Sequence, residues 1–196
     1  FKQRTGIGSD ALHPCSFALL SEEGRIAFLR MFSLIESTGM WPRRLSHVWY
    51  FLIPKLGGGL RPIGLLPSTV RIWERLRRPV MHQWMQSQAR DYDWAAVGKT
   101  AEAAAWRQLV LPEGVDVSTD SWDAPAVATV LLDLVKCFEK VQLDHVWRWG
   151  CYWGVPRALL RLILQAFSFQ RTLIVEGSYS DPVRTLNAIV LGSVFS

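Results

Sequence analysis

The sequence predicts an α+β fold, and three observations carry the prediction. Strand-forming runs come in two hairpin-like pairs, at residues 47–66 and from Arg171 onward, rather than in strict alternation with helices. Amphipathic repeats at helical spacing lie between them. A continuous apolar run, Val127-Ala128-Thr129-Val130-Leu131-Leu132, is too apolar for a half-exposed edge and reads as a buried strand ending at Asp133.

Ser21-Glu22-Glu23 opens the first helix, Ile26, Leu29, Phe32 and Ile35 fall near one face, and Gly39 closes it. After Trp41-Pro42, the run His47 to Ile53 is rich in strand formers and stops at Pro54-Lys55. Gly57-Gly58-Gly59 permits a tight reversal, and Leu60 to Leu66 returns as the second strand of a hairpin. Pro67-Ser68-Thr69 starts a helix carrying Ile72, Trp73, Leu76, Val80 and Trp84, which Pro79 is expected to bend. Arg71, Arg75, Arg77 and Arg78 lie on it, either as a solvated face or as a grip on backbone phosphates. A further helix is expected over Thr100 to Val110, and residues 112–125, with two Pro, one Gly and three Asp, read as a loop or small insertion. Beyond the buried strand, helices are predicted over Leu143 to Trp153 and from Pro156 through Phe167, with Leu159, Leu160, Ile163 and Leu164 as a buried stripe. Arg171 to Glu176, a turn at Gly177-Ser178 and Val183 to Leu191 read as a closing hairpin.

With 196 residues, 49% hydrophobic and 20% charged, the chain is globular rather than disordered, and one domain or two lobes of one is expected. Most of the ten Trp are expected in the core, with some left to face a partner. No apolar run reaches the roughly 18 residues a membrane span requires, so no membrane partner is expected. The chain begins at Phe1 rather than Met and stops at Ser196 after a strand-like stretch, so both ends read as cut from something longer. Cys15, Cys137 and Cys151 match no zinc spacing, which favours a reducing compartment over a disulfide framework, and the four His form no ligand pair. Residues 1–90 carry 13 Lys+Arg against 5 Asp+Glu, and residues 91–196 carry 9 against 12. That asymmetry suits a polyanion held by one part with carboxylates working in the other, and equally suits two solvated surfaces.

Phosphoryl transfer to a nucleotide needs a divalent ion, and a carboxylate on a rigid element holds that ion well. Asp133 at a strand end has this character, although such an Asp also serves as a helix cap. Lys55 and Arg61 flank the hairpin turn, where their long side chains can fold over a triphosphate, Arg through paired donors and Lys as a point charge. Gly98-Lys99-Thr100 has the ending of a phosphate-binding loop, but Asp93 stands where that loop requires its first Gly, which rejects the motif.

Three segments together resemble a reverse transcriptase, an RNA-directed DNA polymerase of the non-LTR retrotransposon or mobile-element type. They are Leu52-Ile53-Pro54-Lys55 with Arg61-Pro62-Ile63-Gly64-Leu65-Leu66; Leu132-Asp133-Leu134-Val135-Lys136-Cys137-Phe138-Glu139-Lys140-Val141; and Leu191-Gly192-Ser193-Val194-Phe195-Ser196. The resemblance implies a right-hand polymerase. Residues 1–111 would be an N-terminal helix and fingers, 112–125 the loop, and 126–196 a partial palm with an antiparallel sheet packed on helices. It implies Asp133 as a catalytic metal ligand beside the Leu134 carbonyl, with two Mg2+ ions in the intact enzyme. Lys55 and Arg61 would contact the triphosphate of a dNTP, and the backbone amides of Lys136 and Cys137 would lie near it. Phe138 would sit beneath the sugar, where a ring clashes with a 2′-hydroxyl and selects deoxynucleotides. Gly192 would permit close approach of template and nucleotide. The implied partners are an RNA template, a DNA primer and dNTPs, and the implied location is the nucleus.

Two departures stand out. Leu191 occupies a position where the family commonly has Gln, and an apolar side chain supplies no such hydrogen bonds. The family's paired aspartates do not occur before Ser196, so this polypeptide alone is expected to be inactive. A non-catalytic RNA-binding remnant of a retroelement is the alternative. A viral-type RNA-dependent RNA polymerase is a third reading, against which Phe138 weighs.

Overall fold

In the computed structural model, which describes residues 1–2, 4–90, 92–94, 98–113, 137–190 and Ser193, helix α1 (Glu22–Thr38) begins and ends where its sequence directs. The Ser21 hydroxyl accepts the Gly24 amide at 3.2 Å, Glu22 and Glu23 face the positive end of the helix, and Gly39 closes it at φ 63°, donating to the Ile35 carbonyl at 2.8 Å. The buried stripe differs from the expected one. Phe32 and Ile35 are buried and Phe28 and Met31 pack beside them, whereas Ile26 and Leu29 stay exposed. Positions 28, 31, 32 and 35 follow helical spacing, while a strict interval of three drifts around the helix.

Strands β1 (His47–Pro54) and β2 (Leu60–Leu65) form the expected antiparallel hairpin, with Tyr50 opposite Gly64 and Ile53 opposite Arg61. Its turn is closed by the Lys55 amide donating to the Gly59 carbonyl at 3.0 Å and the Gly58 amide donating to the Lys55 carbonyl at 3.1 Å. Gly58 and Gly59 sit at φ 86° and 79°, a region costly for any residue with a Cβ.

Helix α2 (Ser68–Gln88) follows, then α3 (Ala101–Glu113), α4 (Cys137–Lys140), α5 (Leu143–Tyr152), α6 (Arg157–Phe167), β3 (Gln170–Val175) and the short β4 (Ser178–Tyr179). The sheet order is β2-β1-β3-β4. Helices and sheet combine as an α+β fold requires, but the sheet is mixed. Antiparallel pairing holds for β1–β2 and β3–β4, while β1 and β3 run parallel, His47 opposite Gln170 through Phe51 opposite Ile174. Parallel neighbours require a long crossover, and here more than a hundred residues separate the two strands in the chain.

The expected return strand over Val183 to Leu191 is also corrected. β4 has two residues, a single bridge joins Arg171 to Val183, and residues 187–189 turn instead to the segment after α4. Pro182 has no amide to donate, and Ala188 sits at φ 80°, outside strand geometry.

Residues Phe1–Met81 and Lys136–Ser196 make one compact unit, and His82–Val135 a second. The first is built on Val48, Tyr50, Val70, Trp73, Leu162, Ile163, Ala166 and Phe167, with Trp41 edge-on to Trp73 at 5.3 Å. The Trp41 indole N–H donates to the Leu162 carbonyl at 3.0 Å, which satisfies its one polar atom inside the core. Other tryptophans overturn the expectation that most are core. Trp106, Trp147, Trp149 and Trp153 are exposed, the last three on or just after α5, whose outer face nothing covers among the described residues.

In the second unit, the Thr100 hydroxyl accepts the Ala103 amide at 3.1 Å at the start of α3, and the Lys99 ammonium donates to the Arg90 carbonyl. The Gly98-Lys99-Thr100 segment is thus a helix start with its lysine already engaged. The strand expected over Val127 to Asp133, and the loop 112–125 from residue 114 on, lie outside the described residues.

Candidate functional site

The hairpin tip presents its cations to solvent. Lys55 and Arg61 are both exposed, and neither side chain bonds or pairs with another described residue. Tyr50, which lies in the core, is five residues before Lys55, or roughly 17 Å along an extended strand.

Phe138 occupies α4 and is 38% exposed as a residue rather than packed in the core. Its carbonyl accepts the Ile189 amide at 3.1 Å, and the Val141 carbonyl accepts the Ala188 amide at 2.8 Å. These bonds bring the segment after Asp133 beside the one that leads to Gly192, although nearly fifty residues separate them in the chain. Asp133, Leu134, Lys136, Leu191 and Gly192 themselves lie outside the described residues. Cys137 is half-buried at the start of α4, and its thiol is free, as are those of Cys15 and Cys151.

A buried cation supports this junction. Arg171, in β3, donates through one guanidinium nitrogen to the Phe167 carbonyl at 2.8 Å and the Ala188 carbonyl at 3.2 Å, and its guanidinium lies over the Tyr50 ring at 5.0 Å. Burial pulls the Arg171 pKa down, and nearby Tyr50 works against that shift. Burial also pushes the Tyr50 phenol above its ordinary value; the Arg171 charge opposes this, and the Glu139 carboxylate of α4 adds to it. Arg171 thus holds Ala188 in its left-handed conformation from the carbonyl side while Val141 holds the amide, so the bend is fixed at both ends.

Ser193 follows Gly192 in the sequence. It is buried, its amide donates to the Val190 carbonyl at 3.1 Å, and its hydroxyl donates to the Glu74 carboxylate at 2.6 Å. Glu74 is 1% exposed, on the inner face of α2 beside Trp73. The same face binds Glu36 of α1, which accepts the Trp73 indole N–H at 2.7 Å and a bidentate pair of bonds from Arg77, one of them 2.8 Å long. At its N-terminus, α2 is capped from far away: the Asp10 carboxylate accepts the Thr69 amide at 3.0 Å and the Thr69 hydroxyl at 3.2 Å.

The arginines of α2 are therefore largely structural. Arg77 is spent on Glu36, Arg71 donates to the Gly6 carbonyl at 2.7 Å, and Arg75 lies over the Phe1 ring at 3.7 Å. The phosphate grip offered by the sequence does not extend to these three.

The sequence reading missed Glu74, Glu36, Asp10 and Arg171. One signal was present for Glu74, an acid one position after Trp73 and four after Val70 on an otherwise apolar stripe. Asp10 and Arg171 gave none, because their partners are remote in the chain or are backbone carbonyls.

Among the described residues, no group of three or more His, Cys, Asp or Glu side chains is placed to hold a metal ion, and no helix is long and apolar enough to cross a membrane. The expected ligands Asp133 and Leu134 are outside that set, so no step is drawn through a metal from the geometry. The class these observations define is a mixed α/β chain with a basic hairpin tip. No family model matches the chain, and no curated protein matches it.

Proposed function

We propose that this chain carries the fingers and part of the palm of an RNA-directed DNA polymerase, a nucleotidyltransferase of retroelement type acting on an RNA template, a DNA primer and dNTPs. The observation that carries the reading is the pairing of Phe138 and Val141 with Ile189 and Ala188, which sets the second of the three segments that suggested the family beside the residues that lead into the third. The exposed Phe138 suits contact with a sugar, and the exposed cations Lys55 and Arg61, which pair with no described residue, suit contact with phosphates. Asp133 with the Leu134 carbonyl would hold magnesium, and the ion's charge would neutralise a triphosphate. Phe138 would exclude a 2′-hydroxyl by filling its space, and Gly192 would admit template and nucleotide closely.

The test is primer extension on RNA by the protein expressed from its complete reading frame. Asp133→Ala is expected to abolish extension while RNA binding stays within about twofold, because one carboxylate contributes little to holding a polyanion. Retained synthesis by that variant would sink the assignment of Asp133. Leu191 favours a second reading, an RNA-binding chain without chemistry, and wild-type protein that binds RNA but extends no primer would select it.

A further inference from the structure

A carboxylate buried to 1% exposure is costly unless its lone pairs are satisfied, and an apolar residue at position 74 would simply extend the stripe of Val70 and Trp73. Among the groups that meet the Glu74 carboxylate is the hydroxyl of a residue 119 positions away, Ser193, at 2.6 Å. Everything around Glu74 is fixed. Asp10 caps the helix that bears it, Glu36 clamps Trp73 and Arg77 on the same face, and Arg71 lies close enough for the two charges to interact. Ser193 is held a second time by its amide bond to Val190, which itself is fully buried.

We propose that Glu74 is a positioning residue, anchoring Ser193, whose amide bonds the Val190 carbonyl, to the inner face of α2. The bond is local and directional: a short acceptor on a fixed helix sets one hydroxyl, and the hydroxyl sets the backbone next to Gly192. Nucleotide binding enters only through the polymerase reading above, on which this consequence rests: loss of the anchor weakens dNTP binding more than it slows turnover.

Two measurements test the proposal, and the first does not depend on polymerase activity. In the 196-residue chain, amide hydrogen exchange is followed at Ser193 and, as a reference, at Val48 and Tyr50 in β1. Glu74→Ala and Ser193→Ala are each expected to speed exchange at residue 193 by about tenfold or more, the size of a lost hydrogen bond to a charged group, with the β1 amides unchanged. Glu74→Gln is expected to restore slow exchange, since its amide oxygen accepts the same hydroxyl. If Glu74→Ala speeds the β1 amides equally, it has destabilised the whole fold, and Ser193→Ala then decides: local acceleration supports the anchor. Unchanged exchange at residue 193 in Ser193→Ala overturns it.

The second measurement is primer extension by the complete protein. Glu74→Ala is expected to raise KM for dNTP about tenfold with kcat within about threefold, and Glu74→Gln to recover wild-type KM. Faster exchange at residue 193 with unchanged KM overturns the link to nucleotide binding. If wild-type protein makes no DNA, the polymerase reading fails, while hydrogen exchange still decides the anchor.

Discussion

Two sets of cations in this chain look alike in sequence and do different work. At the hairpin tip, Lys55 and Arg61 project from a glycine turn into solvent and pair with no described residue. On α2, Arg77 grips Glu36 through two bonds and Arg71 is tied to the Gly6 carbonyl. A guanidinium within reach of a fixed acceptor becomes part of the framework, and one held away from such acceptors is left for a ligand. Charge counted along the chain cannot separate the two uses, because the acceptors lie 41 and 65 residues from their arginines.

The comparison breaks most readily at Arg77. Arg77→Ala is expected to cost about 1–2 kcal/mol in urea unfolding after allowance for solvent screening, since both partners are partly exposed and the Glu36 carboxylate keeps only its Trp73 bond. The same pair carries a pH dependence. Burial raises the Glu36 pKa, but hydrogen bonds from Arg77 and Trp73 and the Arg77 charge outweigh it, so the carboxyl sits below its ordinary value. A carboxyl depressed in the folded state contributes stability that is present above its unfolded pKa and is lost as pH falls through the folded one. Wild type is therefore expected to lose stability relative to Glu36→Gln once pH drops below about 4.5, and parallel curves would contradict the pairing.

At the tip, the expected effect on folding is smaller and the effect on binding is the informative one. Lys55→Ala and Arg61→Ala should each change stability by less than about 0.5 kcal/mol, as exposed residues with no partner among the described residues do. Each should weaken triphosphate binding and reduce its salt dependence. A loss of stability comparable to that of Arg77→Ala would show the tip cations to be structural as well.

Local signals in the sequence located much of the fold. The Ser21 and Gly39 ends of α1, the reversal at residues 57–59 and the apolar stripe of α6 are each set by neighbours a few positions away. What escaped was set at a distance. The parallel pairing of β1 with β3, the Asp10 cap on α2 and the turn of residues 187–189 toward α4 arise from packing between remote segments. Of the candidate site, Lys55, Arg61 and Phe138 are exposed. Glu74 shows the converse, since its type alone argues for the surface, and its bond to the distant Ser193 is made in the core.

The central claim is that Phe138 lies at a deoxynucleotide site, and sugar selection tests it most directly. In primer extension on RNA by the complete protein, the ratio of dNTP to rNTP incorporation is measured for wild type and Phe138→Ala. Removing the ring opens space for the 2′-hydroxyl, so the ratio is expected to fall by about tenfold or more while extension with dNTPs persists. An unchanged ratio in Phe138→Ala would contradict the account.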